Sequence, residues 1–225
     1  MTEIIFIDLF SGIGGFAEGF RRAGIKFKYH AFSEIDKNAI SIYKKHFPDA
    51  RELGNVATIR DFSEIREQRR GGAEPLVVTF GFPCQDLSVA GKQRGLEGSR
   101  SGLFYEAMRI IREIRPDIFI FENVKGLLSS NGGKDFVRCL REIANLGDYD
   151  GQWQLVNTAW VLPQNRERVY FVGTLRGYAR KQVFPIRCGE EQADGLQQKQ
   201  ANCLRAGYQK STGGGSYVVE RERHK

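Results

Sequence analysis

Four segments of this 225-residue chain carry side chains that can do chemistry. The first is a glycine loop, Phe10-Ser11-Gly12-Ile13-Gly14-Gly15-Phe16-Ala17, directly after the apolar run Ile4–Ile7. It reads as strand, then G-x-G-x-x-A, then helix. Glycines there let backbone amides approach a ligand closely, and a helix N-terminus favours a negative group. Glu34 follows Gly12 by 22 residues, close to the ~20-residue spacing of an acid that accepts from ribose hydroxyls. The spacing predicts an adenosine-containing ligand, and NAD and S-adenosylmethionine both fit. The plain alternative is a tight strand-to-helix turn that binds nothing.

The second segment is Gly81-Phe82-Pro83-Cys84-Gln85, after the apolar run Leu76–Phe80. Pro83 fixes the backbone just before the thiol. The polar stretch from Cys84 to Gly102 is rich in glycine and carries Lys92, Arg94 and Arg100. A thiol of pKa ~8.5 is mostly protonated at neutral pH, so nearby cations would help activate it as a nucleophile. A free cysteine is commonly a small buried hydrophobe. Its place at a strand's carboxyl end, before a long basic loop, favours the nucleophile.

Glu122 ends the apolar run Ile118–Phe121. Burial raises a carboxyl pKa, which would let Glu122 donate a proton or hold a hydrogen bond near neutrality. Gln164-Asn165-Arg166-Glu167-Arg168 leads into Val169–Val172. In a strand, Arg166 and Arg168 share a face, an arrangement suited to anionic or carbonyl oxygens. Taken singly, each has a bland alternative: a salt bridge or cap for Glu122, a surface ladder with Glu167 for the arginines.

The elements that must position these groups alternate. Strands are expected at Ile4–Ile7, Tyr29–Ser33, Leu76–Phe80, Ile118–Phe121, Trp153–Thr158 and Arg168–Val172, and helices at Gly14–Ala23, Lys37–His46, Leu103–Ile114 and Phe136–Leu146. Such alternation predicts an α/β fold with a mostly parallel sheet, whose ligands sit at the strands' carboxyl ends. Composition is ordinary for a globular domain, with 41% hydrophobic and 27% charged residues. No apolar run reaches the about 18 residues that a membrane span needs. The first ten residues lack a secretory pattern, and Cys84, Cys139, Cys188 and Cys203 form no CxxC pair. A reduced, cytoplasmic protein without a zinc site is expected. Of the formal net charge of +7, most lies in residues 176–225, where ten basic side chains face five acidic ones.

Together the segments resemble DNA cytosine-5 methyltransferases. Asp8-Leu9-Phe10-Ser11-Gly12, Gly81-Phe82-Pro83-Cys84-Gln85, Glu122-Asn123-Val124 and Gln164-Asn165-Arg166-Glu167-Arg168 follow that family's order, as do Ser88–Lys92 and Ser99–Phe104. The resemblance implies a Rossmann-like fold with helices on both sheet faces, and double-stranded DNA as partner. It implies an S-adenosylmethionine pocket lined by Phe10, Gly12, Gly14, Glu34, Ile35, Pro83 and Leu103. It makes Cys84 the nucleophile at C6 of a flipped cytosine and gives Glu122 the N3 and N4 edge. Arg168, with Arg166 beside it, would hold O2. Residues 1–175 would form the catalytic domain, and residues 176–225 a short remnant of a target-recognition region.

Two departures stand out. Asn55 occupies the place of a common acidic contact to the adenine amino group, though its side-chain oxygen can still accept. The chain also stops where the family's closing motifs would begin. The expectation is therefore an enzyme acting with a second polypeptide, or else an inactive relic that serves at most as a binding module. An NAD-dependent oxidoreductase explains the glycine loop alone, and nothing specific supports an RNA-methylating relative.

Overall fold

The computed structural model describes residues 3–83, 102–178 and 182–186, together with the backbone of the strands at 202–204 and 217–219. The chain divides into two compact units, Met1–Phe121 and Glu122–Lys225. No helix among the described residues is long and apolar enough to cross a membrane.

In the first unit β1 (Glu3–Leu9) is the central strand, and it is buried from Ile4 onward. A strand covered on both faces reads as a continuous apolar run, and Ile4-Ile5-Phe6-Ile7 is one. The order is β3 (Arg51–Glu52), β2 (Lys26–Ser33), β1, β4 (Leu76–Phe80), β5 (Ile118–Val124), with every pair parallel. The chain leaves β1 toward β2 and β3, then returns to β4 on the other side of β1. That reversal is a topological switch point, where open parallel sheets bind ligands at their carboxyl ends. Phe10–Gly14 and Gly81–Pro83 both lie there.

Side-chain alternation divides the two faces. Ile4, Phe6, Phe32 and Val77 pack with Ala17 of α1 (Gly15–Arg22) and Tyr43 of α2 (Lys37–His46). On the other face Phe80, Phe121 and Phe82 lead to Phe104 of α4 (Gly102–Ile114), with Phe82 and Phe104 rings 5.1 Å apart. Helices thus cover both faces, as expected. Local signals fix α2 well: Asp36 accepts from the amides of Asn38 and Ala39 at 2.8 and 3.0 Å, and Lys44, Lys45 and His46 close its last turn. Both ends suit the helix dipole. Helix α3 (Ser63–Arg69) was not expected; its only buried residue is Ile65.

In the second unit α5 (Lys134–Ala144) sets Phe136 edge-on against Trp153 of β6 (Tyr149–Asn157), with centroids 4.9 Å apart. β7 (Glu167–Leu175) pairs antiparallel with β6, from Tyr149↔Leu175 to Asn157↔Glu167. The short 158–166 connection permits this, whereas a parallel pair would need a longer crossover. β8 (Asn202–Leu204) and β9 (Tyr217–Val219) continue from β6.

Gly151 of β6 lies against the buried ring of Phe171, which a Cβ at 151 would overlap. Gly151→Ala is expected to destabilise the chain by about 1–3 kcal/mol through overpacking. Urea unfolding should show it, and Phe171→Leu in the same chain should recover part of the loss.

Candidate active site

The glycine loop is built by the chain reversal at the end of β1. Phe10 has φ 53, Gly12 φ 54 and Gly14 φ 95, all in the left-handed region. The two glycines take that region freely; Phe10 is strained there. At Gly14 a Cβ would also lie 3.1 Å from the Tyr43 ring, so the position needs glycine twice over.

Hydrogen bonds from the end of β2 hold the loop. Ser11 N donates to Ser33 O at 3.1 Å, and Gly12 N donates to Glu34 Oε2 at 2.8 Å. The second oxygen of Glu34 accepts from the amides of Ile35 at 2.7 Å and Asp36 at 3.0 Å. Gly12, Glu34 and Ile35 are therefore brought together as expected. Ile13 is 62% and Ile35 71% exposed beside this carboxylate. Among the described residues the buried Ser11 hydroxyl has no hydrogen-bond partner. A half-buried carboxylate whose oxygens have lone pairs to spare, exposed aliphatic side chains and a hydroxyl unpaired among the described residues make a donor and acceptor set that fits an adenosine-bearing ligand with free ribose hydroxyls.

The remaining cofactor candidates sit as follows. Asn55 is exposed and caps a 3-10 turn, Val56–Thr58, by accepting from Ala57 N at 2.9 Å. This uses one acceptor site of its oxygen and leaves the other. Pro83 is exposed beyond β4, and Leu103 lies half-buried in the first turn of α4. Their neighbours Phe82 and Phe104 pack on one another. Cys84 lies outside the described residues.

In the second unit the Glu122 carboxylate meets Arg168, with Oε1 2.7 Å from Nε. The two groups form an ion pair. Burial is the larger influence on Glu122 and raises its pKa, while the positive charges of Arg168 and Arg166 oppose that rise. Such a carboxyl takes up a proton more readily than an exposed one.

Arg166 departs from expectation. β7 begins at Glu167, so Arg166 is an exposed residue of the connection and does not extend the strand face of Arg168. Its amide donates to Asn157 Oδ1 at 3.2 Å, the same oxygen that caps the turn at Ala159. Asn157 thus takes up the chain at the strand's mouth, yet the charge of Arg166 still reaches Glu122. Tyr170 was missed. Burial, then the charge of Glu122, raises its phenol pKa. It is two residues beyond Arg168, and the period of two in a strand was the available signal.

Residues 4–212 match the family model of C-5 cytosine-specific DNA methylases. The Type II methyltransferase M.BanI of Aneurinibacillus aneurinilyticus is 36% identical over 178 residues, 77% of this chain and 39% of that protein. M1.ScrFI of Lactococcus lactis subsp. cremoris is 42% identical over 168 residues, 74% of this chain and 40% of its own length. The chain thus spans about two fifths of the curated relatives it matches. A crystal structure from E. coli, described as a prophage-encoded DNA modification methyltransferase, superimposes with a TM-score of 0.60 at 28% identity, over 76% of this chain and 47% of that one.

Removing the Arg168 charge should push the Glu122 pKa further up, since burial then acts with less opposition. Titration of the Glu122 carboxyl by carbon NMR in Arg168→Ala checks this. Arg168→Lys, which keeps a charge, should restore most of the difference.

Proposed function

The chain belongs to the C-5 cytosine-specific DNA methylase family, and from that membership we propose that it transfers a methyl group from S-adenosylmethionine to C5 of cytosine in double-stranded DNA. The observation that carries the reading is Glu122, a carboxyl made easier to protonate by burial and set against Arg168. Attack on cytosine needs a group that can supply a proton or a strong hydrogen bond to N3 as the ring accepts electrons.

C5 of cytosine is a poor nucleophile. The Cys84 thiolate adds to C6, forming a C–S bond and moving the C5–C6 electron pair into the ring. Glu122 stabilises the negative charge that develops through N3, and Arg168, flanked by Arg166, holds O2. S-adenosylmethionine supplies an electrophilic methyl group on a sulfonium. Loss of the C5 proton and departure of Cys84 then restore the aromatic ring. The target atom is out of reach in a duplex, so the base is flipped out at a cost of a few kcal/mol. Phe10, Gly12, Gly14, Glu34, Ile35, Asn55, Pro83 and Leu103 would hold the cofactor, with the Glu34 carboxylate accepting from the ribose. The Ser11 hydroxyl, unpaired among the described residues, and the Glu34 carboxylate held beside Gly12 support this use of the loop. Residues 1–175 carry the catalytic segments in this reading, and residues 176–225 the basic part that meets DNA.

The test is a duplex carrying 5-fluorocytosine, offered with S-adenosylmethionine. Fluorine cannot leave as the proton does, so the covalent adduct accumulates. A denaturing gel should show an adduct with the chain, absent in Cys84→Ser. An adduct that forms only after a second polypeptide is added supports a two-chain enzyme. No adduct in either case favours an inactive binding module. Glu34→Gln should weaken S-adenosylmethionine binding about tenfold or more, because a neutral amide accepts less strongly from hydroxyls. Isothermal calorimetry reads that loss, and a simultaneous gain of NAD binding would favour the oxidoreductase.

A further inference from the structure

A chain of polar side chains, buried at Asp8, Thr79 and Tyr43 and half-buried at His30, runs beneath the glycine loop, and the methyl-transfer chemistry gives it no task. Thr79 Oγ1 donates to Asp8 Oδ1 at 2.6 Å. The Tyr43 hydroxyl is 3.4 Å from Asp8 Oδ2 and 2.7 Å from His30 Nε2. Asp8 and Tyr43 are fully enclosed, 1% and 0% exposed. The four residues come from β1, β4, α2 and β2, the elements that carry the loop, Pro83 and Glu34. The Tyr43 ring is also the floor against which Gly14 packs.

A hydroxyl between a carboxyl and an imidazole donates in one direction at a time. With a proton on Asp8, the carboxyl donates to Tyr43, Tyr43 donates to His30 Nε2, and His30 carries its own proton on Nδ1. Without it, Tyr43 donates to Asp8 and Nε2–H donates to Tyr43. The net change is one proton released from Asp8 to solvent. The His30 proton moves between ring nitrogens by exchange with water in the open groove that His30 lines. His30 stays neutral throughout, because burial pushes its pKa down to about 4. Around it are the rings of Phe6, Phe27 and Phe47. The nearby ammonium groups of Lys28 and Lys44 are paired with Glu74 and Glu52. Among the described residues the charged group that acts on Asp8 is Glu34.

We propose that Asp8 is a positioning residue for the cofactor loop: its proton sets the direction of the Asp8–Tyr43–His30 chain, and its ionisation weakens the Glu34 clamp on Gly12 by charge repulsion. This rests on the reading of the loop as the S-adenosylmethionine site. Burial raises the Asp8 pKa to about 7 against the lowering effect of the Thr79 and Tyr43 hydrogen bonds, and the Glu34 charge adds to the rise. Cofactor affinity therefore falls as pH rises through that value.

The experiment is calorimetry of S-adenosylmethionine binding to the full chain at about pH 6 and about pH 8.5, with nitrogen NMR of the His30 ring over the same range. Affinity of the wild type is expected to drop about fivefold or more at the higher pH, as His30 changes from its Nδ1–H to its Nε2–H form. Asp8→Asn, which holds the neutral hydrogen-bonding pattern, should bind equally at both pH values and keep one His30 form. Tyr43→Phe keeps the ring and the Thr79–Asp8 bond and serves should Asp8→Asn not fold; it should abolish the His30 change while affinity still falls with pH, because Asp8 still ionises beside Glu34. A His30 ring that holds one form throughout in the wild type overturns the proposal. So does Asp8→Asn with the wild-type pH response, or a Tyr43→Phe variant whose His30 ring still changes form or whose affinity no longer falls with pH. No cofactor binding at either pH, with the His30 change intact, overturns the cofactor reading and not the switch.

Discussion

The hydrogen bonds between the end of β1 and the end of β2 are what the rest of the first unit depends on. Phe10 sits at φ 53, a conformation that costs a side-chain-bearing residue about 1–2 kcal/mol. The strain persists because the backbone around it is over-determined. Ser11 N reaches Ser33 O, Gly12 N reaches Glu34 Oε2, and Gly14 N reaches Ser11 O. Each such bond contributes about 1 kcal/mol net, and each would cost more if a buried donor were left unpaired. Glu34 serves both directions. One oxygen holds the loop and the other accepts from Ile35 and Asp36, where α2 begins. One carboxylate thus fixes the start of α1, the start of α2 and the surface between them.

The same economy of charge recurs at three carboxyls placed at strand ends. Asp8 is enclosed and meets hydroxyls, so burial prevails and its proton stays on to near neutrality. Glu34 is met by backbone amides. Glu122 is half-buried against Arg168, and burial there exceeds the pull of two positive charges. Environment, not residue type, divides these three carboxyls: what each one meets decides how readily it holds a proton.

Much of the first unit was legible because its signals are local. The run Leu76–Phe80 and the helix Lys37–His46 match the structure residue for residue, since a fully buried strand is uniformly apolar and α2 carries its own cap and basic end. The pairing of Gly12 with Glu34 was legible as a spacing. Helix α3 was not, because Ser63–Arg69 offers one buried side chain and no apolar stripe. The antiparallel pairing of β6 and β7 depends on which strand a segment finds, and composition does not say. Arg166 misled for a local reason: β7 begins at Glu167, and the Arg166 amide just before it is taken by the Asn157 side chain. The contacts of Asp8 span 35 and 71 residues, beyond the reach of any periodicity.

Those long contacts also explain why a polar network is tolerated in an apolar core. Tyr43 fills its place with its ring, stacked on Phe32 at 4.1 Å and against Phe47 at 5.3 Å, so packing alone would accept a phenylalanine. What the hydroxyls and the carboxyl add is register. Asp8 is satisfied only when β1 lies with Asp8 opposite Thr79 and with α2 over that face. A slip of one residue would turn every β1 side chain to the opposite face. Asp8 would then meet the aromatic layer of Phe80 and Phe121, where a carboxyl has no partner and costs several kcal/mol. The wrong register is therefore penalised more than the right one is rewarded. The register protected in this way brings the glycine loop and Pro83 to the same end of the sheet.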